Sequence, residues 1–197
     1  QGKTLKYGLP LTYAWEEPTK CVLDYYQINH CPMIGISWGG YFVMRAAAFE
    51  KRISAVVAYD VADDGLEIMT NVFPPILRRL IRWVFAHKQE KLVNHLVRFA
   101  IHKSVLADWA LSQGQYITHK KSPYRFYQEV QKHTLRGVCD RITQDCLLLA
   151  GEKDHYIPID QFERLQSSLP NARSVKKCVF TQAEGGEQHC QIGNHQL

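Results

Sequence analysis

Short apolar runs alternate with longer helix-patterned stretches at both ends of the chain, and the middle third carries helical pattern alone. Four runs have the length of strands: Pro32–Ile36, Ile53–Tyr59 (I-S-A-V-V-A-Y), Asp145–Ala150 (D-C-L-L-L-A) and Val175–Phe180. Their near-continuous apolar character predicts strands buried in a parallel sheet. Glu17–Gln27 reads as a helix with Val22, Leu23 and Tyr26 on its apolar face, Trp15 just ahead and Pro18 in the first turn. Gly40–Glu50 reads as a second helix, followed by Lys51 and Arg52, cations suited to a helix C-terminus. Strand, helix and strand joined by one short crossover predict a right-handed parallel unit. Gln1–Leu11, punctuated by Gly and Pro, reads as loop.

From about Asp64 to Lys132 the strand signal disappears. Pro74-Pro75 opens a helix with Ile76, Leu77, Leu80, Ile81, Val84 and Phe85 at helical spacing, and Leu92, Val93, Leu96, Val97, Ala100 and Ile101 repeat it. Arg78, Arg79, Arg82, Lys88, Lys91, Arg98 and Lys103 are interleaved with these positions and read as a solvated outer face rather than a membrane surface. Ser122-Pro123 marks a break, because a residue before proline is pushed out of the helical region. The pattern predicts an α/β fold with a doubly wound, mostly parallel sheet. Residues 1–63 supply its first part, 64–132 a helical lid insertion over the sheet's C-terminal edge, and 133–197 its second part.

The first strand runs straight into G-I-S-W-G, Gly35 to Gly39. Strand, sharp turn with a serine, then helix is the context of a nucleophile elbow. Gly35 and Gly39 fit because a Cβ at either is expected to block the helix from the strand. A helix N-terminus beneath Ser37 supplies partial positive charge and free N–H groups where an oxyanion would form. Taken alone, a serine in a Gly-rich turn is commonly just a turn.

Two later strands also end in loops with titratable groups, G-E-K-D-H-Y-I-P and E-G-G-E-Q-H-C. A serine nucleophile needs a base, and the base needs an acid to fix its tautomer. Ser37, Asp154 and His189 follow the chain order that goes with the elbow, each just past an expected strand. Asp60 also follows a strand and competes with Asp154 as the acid. Glu152 and His155 read as ordinary loop residues, and His195 is a rival base set too far into the following helix. His87, His95, His102, His119 and His133 read as surface or lid residues. No His, Cys and carboxylate cluster has metal spacing, so neither metal nor cofactor is expected.

Composition narrows the setting. Hydrophobic residues make up 46% of the 197 and charged residues 22%, as in ordinary globular chains. The net charge of +5 comes without a basic tail or nucleic-acid motif, so no nucleic-acid partner is expected. No apolar run approaches a membrane span. Six cysteines lack C-x-x-C pairs or zinc spacing, which points to a reducing, cytoplasmic setting. The start at Gln1 and the end in an apparent first helical turn read as a chain cropped at both ends.

G-I-S-W-G-G-Y with R-A-A-A-F-E and A-Y-D, then A-G-E-K-D-H-Y-I-P and G-G-E-Q-H-C-Q-I-G-N, resemble the α/β-hydrolase superfamily. The nearest resemblance is to the branch with the fermentation–respiration switch protein, dihydroxypseudooxynicotine hydrolase and fungal polyketide-shortening hydrolases. It covers most of the chain outside the helical segment. It implies Ser37 as nucleophile, Asp154 as acid, His189 as base and the Trp38 backbone N–H as an oxyanion donor. Gln1-Gly2 resembles the tail of a Gly-rich loop that follows an earlier strand, so early strands and a second oxyanion donor would precede this chain. Ala14, beside Trp15, departs from the acidic-Trp pattern of the family. The implied activity is serine-dependent hydrolysis of an ester, or of a carbon–carbon bond next to a ketone, in a small or medium acyl substrate. Acyl transfer, a non-catalytic binding role and a homodimer stay open.

Overall fold

A computed structural model describes residues 2–71, 73–101 and 105–191. In chain order its elements are α1 (Gly2–Lys6), α2 (Glu16–Tyr25), β1 (Cys31–Ile36), α3 (Trp38–Phe49), β2 (Ile53–Tyr59) and α4 (Gly65–Thr70). Then come α5 (Pro75–Ala86), α6 (Glu90–Ile101), α7 (Val105–Thr118), α8 (Pro123–Val130), β3 (Asp145–Gly151), α9 (Ile159–Ser167) and β4 (Ser174–Phe180). Short 3-10 turns lie at Cys139–Arg141, Gln182–Glu184 and His189–Gln191. The described residues form two compact units, one within 2–13 and 69–132, the other within 14–68 and 133–191.

The second unit holds the sheet, with order β1-β2-β3-β4 and every pair parallel. Ile36 pairs with Tyr59, and Tyr59 with Leu149, so the carboxyl ends of β1, β2 and β3 lie side by side. β2 buries Ile53, Val56 and Ala58, and β3 buries the alternate residues Cys146, Leu148 and Ala150. They meet Tyr41, Met44, Ala47 and Ala48 of α3 and Phe162 and Leu165 of α9 in one core. α9 is not among the expected helices, although Ile159, Phe162 and Leu165 recur every third position behind Pro158. Gln144 donates to the Ala47 carbonyl at 3.0 Å and ties the start of β3 to α3. Lys176 and Lys177 stand exposed on β4, which is an edge strand among the described residues, a charge pattern that discourages further strand pairing.

Two expectations change here. β1 is not buried on both faces: Ile34 and Ile36 are 69% and 57% exposed, while Gly35 on the opposite face is buried. β1 is an edge strand among the described residues, and α3 covers only the face that carries Met33 and Gly35. Gln1–Leu11 is not all loop, since Gly2–Lys6 forms a short helix with Leu5 buried.

The helical unit buries Ile81, Val84 and Phe85 of α5, Val93 and Val97 of α6, and Tyr124, Phe126 and Tyr127 of α8. Phe85 stacks on Tyr124 at 5.2 Å between ring centroids. Ile76 and Leu80 are exposed rather than packed. Ser122 caps α8 by accepting from the Arg125 N–H, and Pro123 opens that helix, so the expected break falls between α7 and α8. Leu11 N–H donates to the Ile117 carbonyl and joins the first residues to this unit. No helix among the described residues is long and apolar enough to cross a membrane.

Candidate active site

Ser37 sits between β1 and α3 at φ 58° and ψ −123°. Such a backbone is costly for a residue with a side chain, of order 1–3 kcal/mol, and survives only where its surroundings hold it. Here the Ser37 N–H donates to the Tyr59 carbonyl at 2.8 Å and the Ser37 carbonyl accepts from Gly40 N–H at 2.8 Å. Gly35 makes the turn feasible, because an ideal Cβ there would fall 2.0 Å from the Gly39 oxygen. The second glycine with a steric reason is Gly40, whose Cβ would lie 3.0 Å from Val61 Cα. Gly39 is not that residue: a Cβ on it meets nothing within 4 Å, contrary to the expectation from the motif. Trp38 opens α3, and the first N–H groups of a helix have no intrahelical acceptor.

The loops after β3 and β4 converge on the serine. His189 Nε2 lies 2.8 Å from Ser37 Oγ, and His189 Nδ1 lies 2.6 Å from Asp154 Oδ2. The other Asp154 oxygen accepts the N–H groups of Tyr156 and Ile157 at 2.8 and 3.0 Å, which fixes the carboxylate plane. A carboxylate only accepts, so the neutral imidazole carries its proton on Nδ1 and turns a free Nε2 lone pair to the Ser37 hydroxyl. Burial works against a charged imidazole, but the Asp154 hydrogen bond and charge, with a further push from Asp60, outweigh it and raise the His189 pKa above its ordinary value.

The two loops are packed against each other directly. Lys153 N–H donates to the Glu187 carbonyl at 2.8 Å, and a Cβ on Gly151 would strike that same carbonyl at 2.5 Å. Backbone strain recurs beside the base, with Cys190 at φ 55° and Gln191 at φ 49°.

The rivals fall elsewhere. Asp60 Oδ2 is 3.9 Å from His189 Nδ1, against 2.6 Å for Asp154, and it accepts backbone N–H groups instead. Glu152 accepts the Gln182 N–H at an exposed position, and the His155 ring centroid is 6.3 Å from that of His189. His195 lies outside the described residues, as does His102. His133 is not a surface residue. It is 1% exposed, with the rings of Trp38, Tyr41 and Phe42 at centroid distances of 5.5, 5.4 and 6.2 Å. It is held there because the chain returns to the sheet at this point, with Gly65 N–H donating to the His133 carbonyl and Leu135 N–H to the Asp63 carbonyl.

Sequence reasoning missed Tyr156, whose ring meets His189 edge-on at 5.1 Å, and the buried anchoring by Asp60. Tyr156 was within reach of that reasoning, being two residues past Asp154. Asp60, His189 and Cys190 each place one potential ligand atom within 4.8 Å of the others. Asp60 Oδ2 accepts the Cys190 N–H, and His189 Nδ1 faces Asp154. All six cysteines are free thiols.

This geometry can be set beside known proteins. The family model described as the alpha/beta hydrolase fold matches residues 12–189. The protein named "Hydrolyase ccsE" of Aspergillus clavatus is 26% identical over 98% of this chain and 48% of its own length. The crystal structure of the 2,6-dihydroxy-pseudo-oxynicotine hydrolase superposes with a TM-score of 0.64 at 16% identity, covering 97% of this chain and 44% of that one. A meta-cleavage product hydrolase from Pseudomonas fluorescens gives 0.55 at 18% identity, covering 92% and 66%. The chain therefore spans about half the length of the curated relatives it matches. Given a family match over residues 12–189 and a parallel sheet with the elbow at the end of its first strand, the chain belongs to the alpha/beta hydrolase fold family.

Proposed function

We propose that this chain carries the catalytic half of a serine hydrolase, with Ser37 as nucleophile, His189 as general base and acid, and Asp154 as the residue that orients His189. The observation that carries the reading is the unbroken relay from Ser37 Oγ through the His189 ring to Asp154, at 2.8 and 2.6 Å, on a serine held in a strained turn. In the first step the Ser37 hydroxyl proton passes to His189 Nε2 as Oγ bonds to the substrate carbonyl carbon. The resulting oxyanion sits toward the N-terminus of α3, where the Trp38 N–H is the donor offered by this chain. Losing one such donor typically costs about 3–4 kcal/mol of transition-state stabilisation. When the tetrahedral species collapses, His189 gives its proton to the leaving group. Water then repeats both steps on the acyl-enzyme and frees Ser37.

The substrate is a small or medium acyl compound, and the bond cut is either an ester or a carbon–carbon bond beside a ketone. The second fits the resemblance to dihydroxypseudooxynicotine hydrolase and the structural match to the protein of that name. It requires His189 to protonate carbon rather than an alkoxide oxygen. Six free thiols suit work in a reducing, cytoplasmic compartment.

The experiment offers the intact protein a matched aryl ester and β-diketone and compares kcat/KM, with Ser37→Ala as control. Turnover of either substrate that is lost in Ser37→Ala supports the hydrolase reading. An ester preference of about a hundredfold or more, roughly 2.7 kcal/mol, rules out carbon–carbon cleavage as the main work. No turnover of either, or turnover that survives Ser37→Ala, contradicts the reading.

A further inference from the structure

We propose that Asp60 is a positioning residue for the His189–Asp154 pair, locking the acid's loop and the base's loop in register and serving as a second negative charge near His189 Nδ1. The inference rests on the triad reading above.

Asp60 follows β2 directly and is 1% exposed. Its own N–H donates to the Leu149 carbonyl at 2.8 Å, which fixes it on β3. The two carboxylate oxygens then face opposite ways. Oδ1 accepts the N–H of Gly151, the last residue of β3 and three before Asp154, at 3.2 Å. Oδ2 accepts the N–H of Cys190, the residue after His189. One buried side chain thus holds the roots of both catalytic loops.

A buried carboxylate without a cation to pair with it is expensive, and a neutral residue would fill the same space more cheaply. No Lys or Arg bond to Asp60 is found among the described residues. What faces it is the site itself: His189, with Nδ1 at 3.9 Å, the Cys190 thiol, Asp154 on the same Nδ1, and Tyr59 from its own strand. Around His189 stand Ser37, Asp154, Asp60, His155 and Tyr156. Burial, then the neighbouring Asp154 charge, push the Asp60 pKa up, against the Cys190 and Gly151 N–H bonds and the His189 charge. The transient positive charge on His189 is therefore the charge Asp60 is placed to meet. Its backbone is also unusual, at φ 52°, a conformation open to Asp, Asn and Gly but poor for most other residues.

That backbone selects the variants. Asp60→Asn keeps the φ but can accept only one of the two N–H groups, and it sets its own NH₂ against the other. Asp60→Gly keeps the φ and removes both bonds and the charge. The readout is the pH dependence of fluorophosphonate labelling rate in the intact protein, with circular dichroism to verify the fold. The plateau rate should fall about tenfold or more in either variant, because a loosened base misses its line of approach. The acid limb should move to lower pH, because an anion that favours protonated His189 has gone. A rate within twofold of the parent, or a loss with an unmoved acid limb, would overturn the proposal. Amide exchange in the parent protein provides a check that needs no variant: Gly151 and Cys190 N–H should exchange slowly, and fast exchange of either refutes the clamp. Ser37→Ala, run alongside, separates the two readings. If it still labels at the parental rate, the triad assignment has failed. If it is dead while Asp60→Asn and Asp60→Gly behave as the parent, only the role of Asp60 has.

Discussion

Gly35 faces the carbonyl of Gly39 across the elbow so closely that a Cβ on Gly35 would lie 2.0 Å from the Gly39 oxygen and 2.8 Å from a Val43 methyl. The obstacle is backbone, so no side-chain rotation can relieve it. Gly35→Ala should destabilise the chain by about 3 kcal/mol or more, the high end of overpacking costs. Gly39→Ala should be near neutral, or stabilising by up to about 1 kcal/mol, since Ala is the better helix former and the space is open. Denaturant midpoints of the two variants check the contrast. Equal losses would mean that the elbow is not packed as described.

In the helical unit the corresponding contact joins Gly114 of α7 and Phe126 of α8. A Cβ on Gly114 would meet the Phe126 ring at 2.3 Å, and that ring is buried. Gly114→Ala should cost about 1–3 kcal/mol. Adding Phe126→Leu should recover part of that loss, and a double-mutant cycle would show it as a favourable coupling. Strict additivity would contradict the contact.

Asp154→Asn tests the orienting acid. Its amide would preserve shape but could present an N–H to Nδ1 and favour the wrong tautomer. By analogy with other triads, turnover should fall roughly 10⁴-fold with little change in KM. A loss under tenfold would remove Asp154 from the role.

The raised pKa of His189 gives two pH trends of opposite sign. A group whose folded pKa lies above its unfolded value, here 6.5, stabilises the fold fully below that value. That contribution is lost as pH rises through the folded pKa. Activity needs the neutral imidazole and should climb over the same window. His189→Gln should remove this part of the stability slope along with activity. A slope unchanged by the substitution would show that the titrating group lies elsewhere.

Much of this site was legible because its signals are local. The Pro32–Ile36 run and the glycines mark strand and turn, and the loops that follow D-C-L-L-L-A and the last strand carry the candidate acid and base. Ser37, Asp154 and His189 could be named from chain order, and the structure brings those three side chains together. Other features depend on tertiary neighbours that no local pattern encodes. The exposure of Ile34 and Ile36 follows from the edge position of β1, and the burial of His133 from where the chain re-enters the sheet. Gly39 and Gly40 differ only in what stands opposite each. The two N–H bonds of Asp60 join the ends of β2 and β3 to the turn that carries His189, segments far apart in sequence, and a pairwise match of acid to histidine misses them.

The central claim is that Ser37 is the nucleophile, and the direct measurement is the site of covalent attachment. The intact protein is treated with a fluorophosphonate, digested and mapped by mass spectrometry. The account predicts a single adduct on the peptide containing Ser37, absent in Ser37→Ala and formed far more slowly in His189→Gln. An adduct on another residue, or labelling that persists in Ser37→Ala, would contradict it.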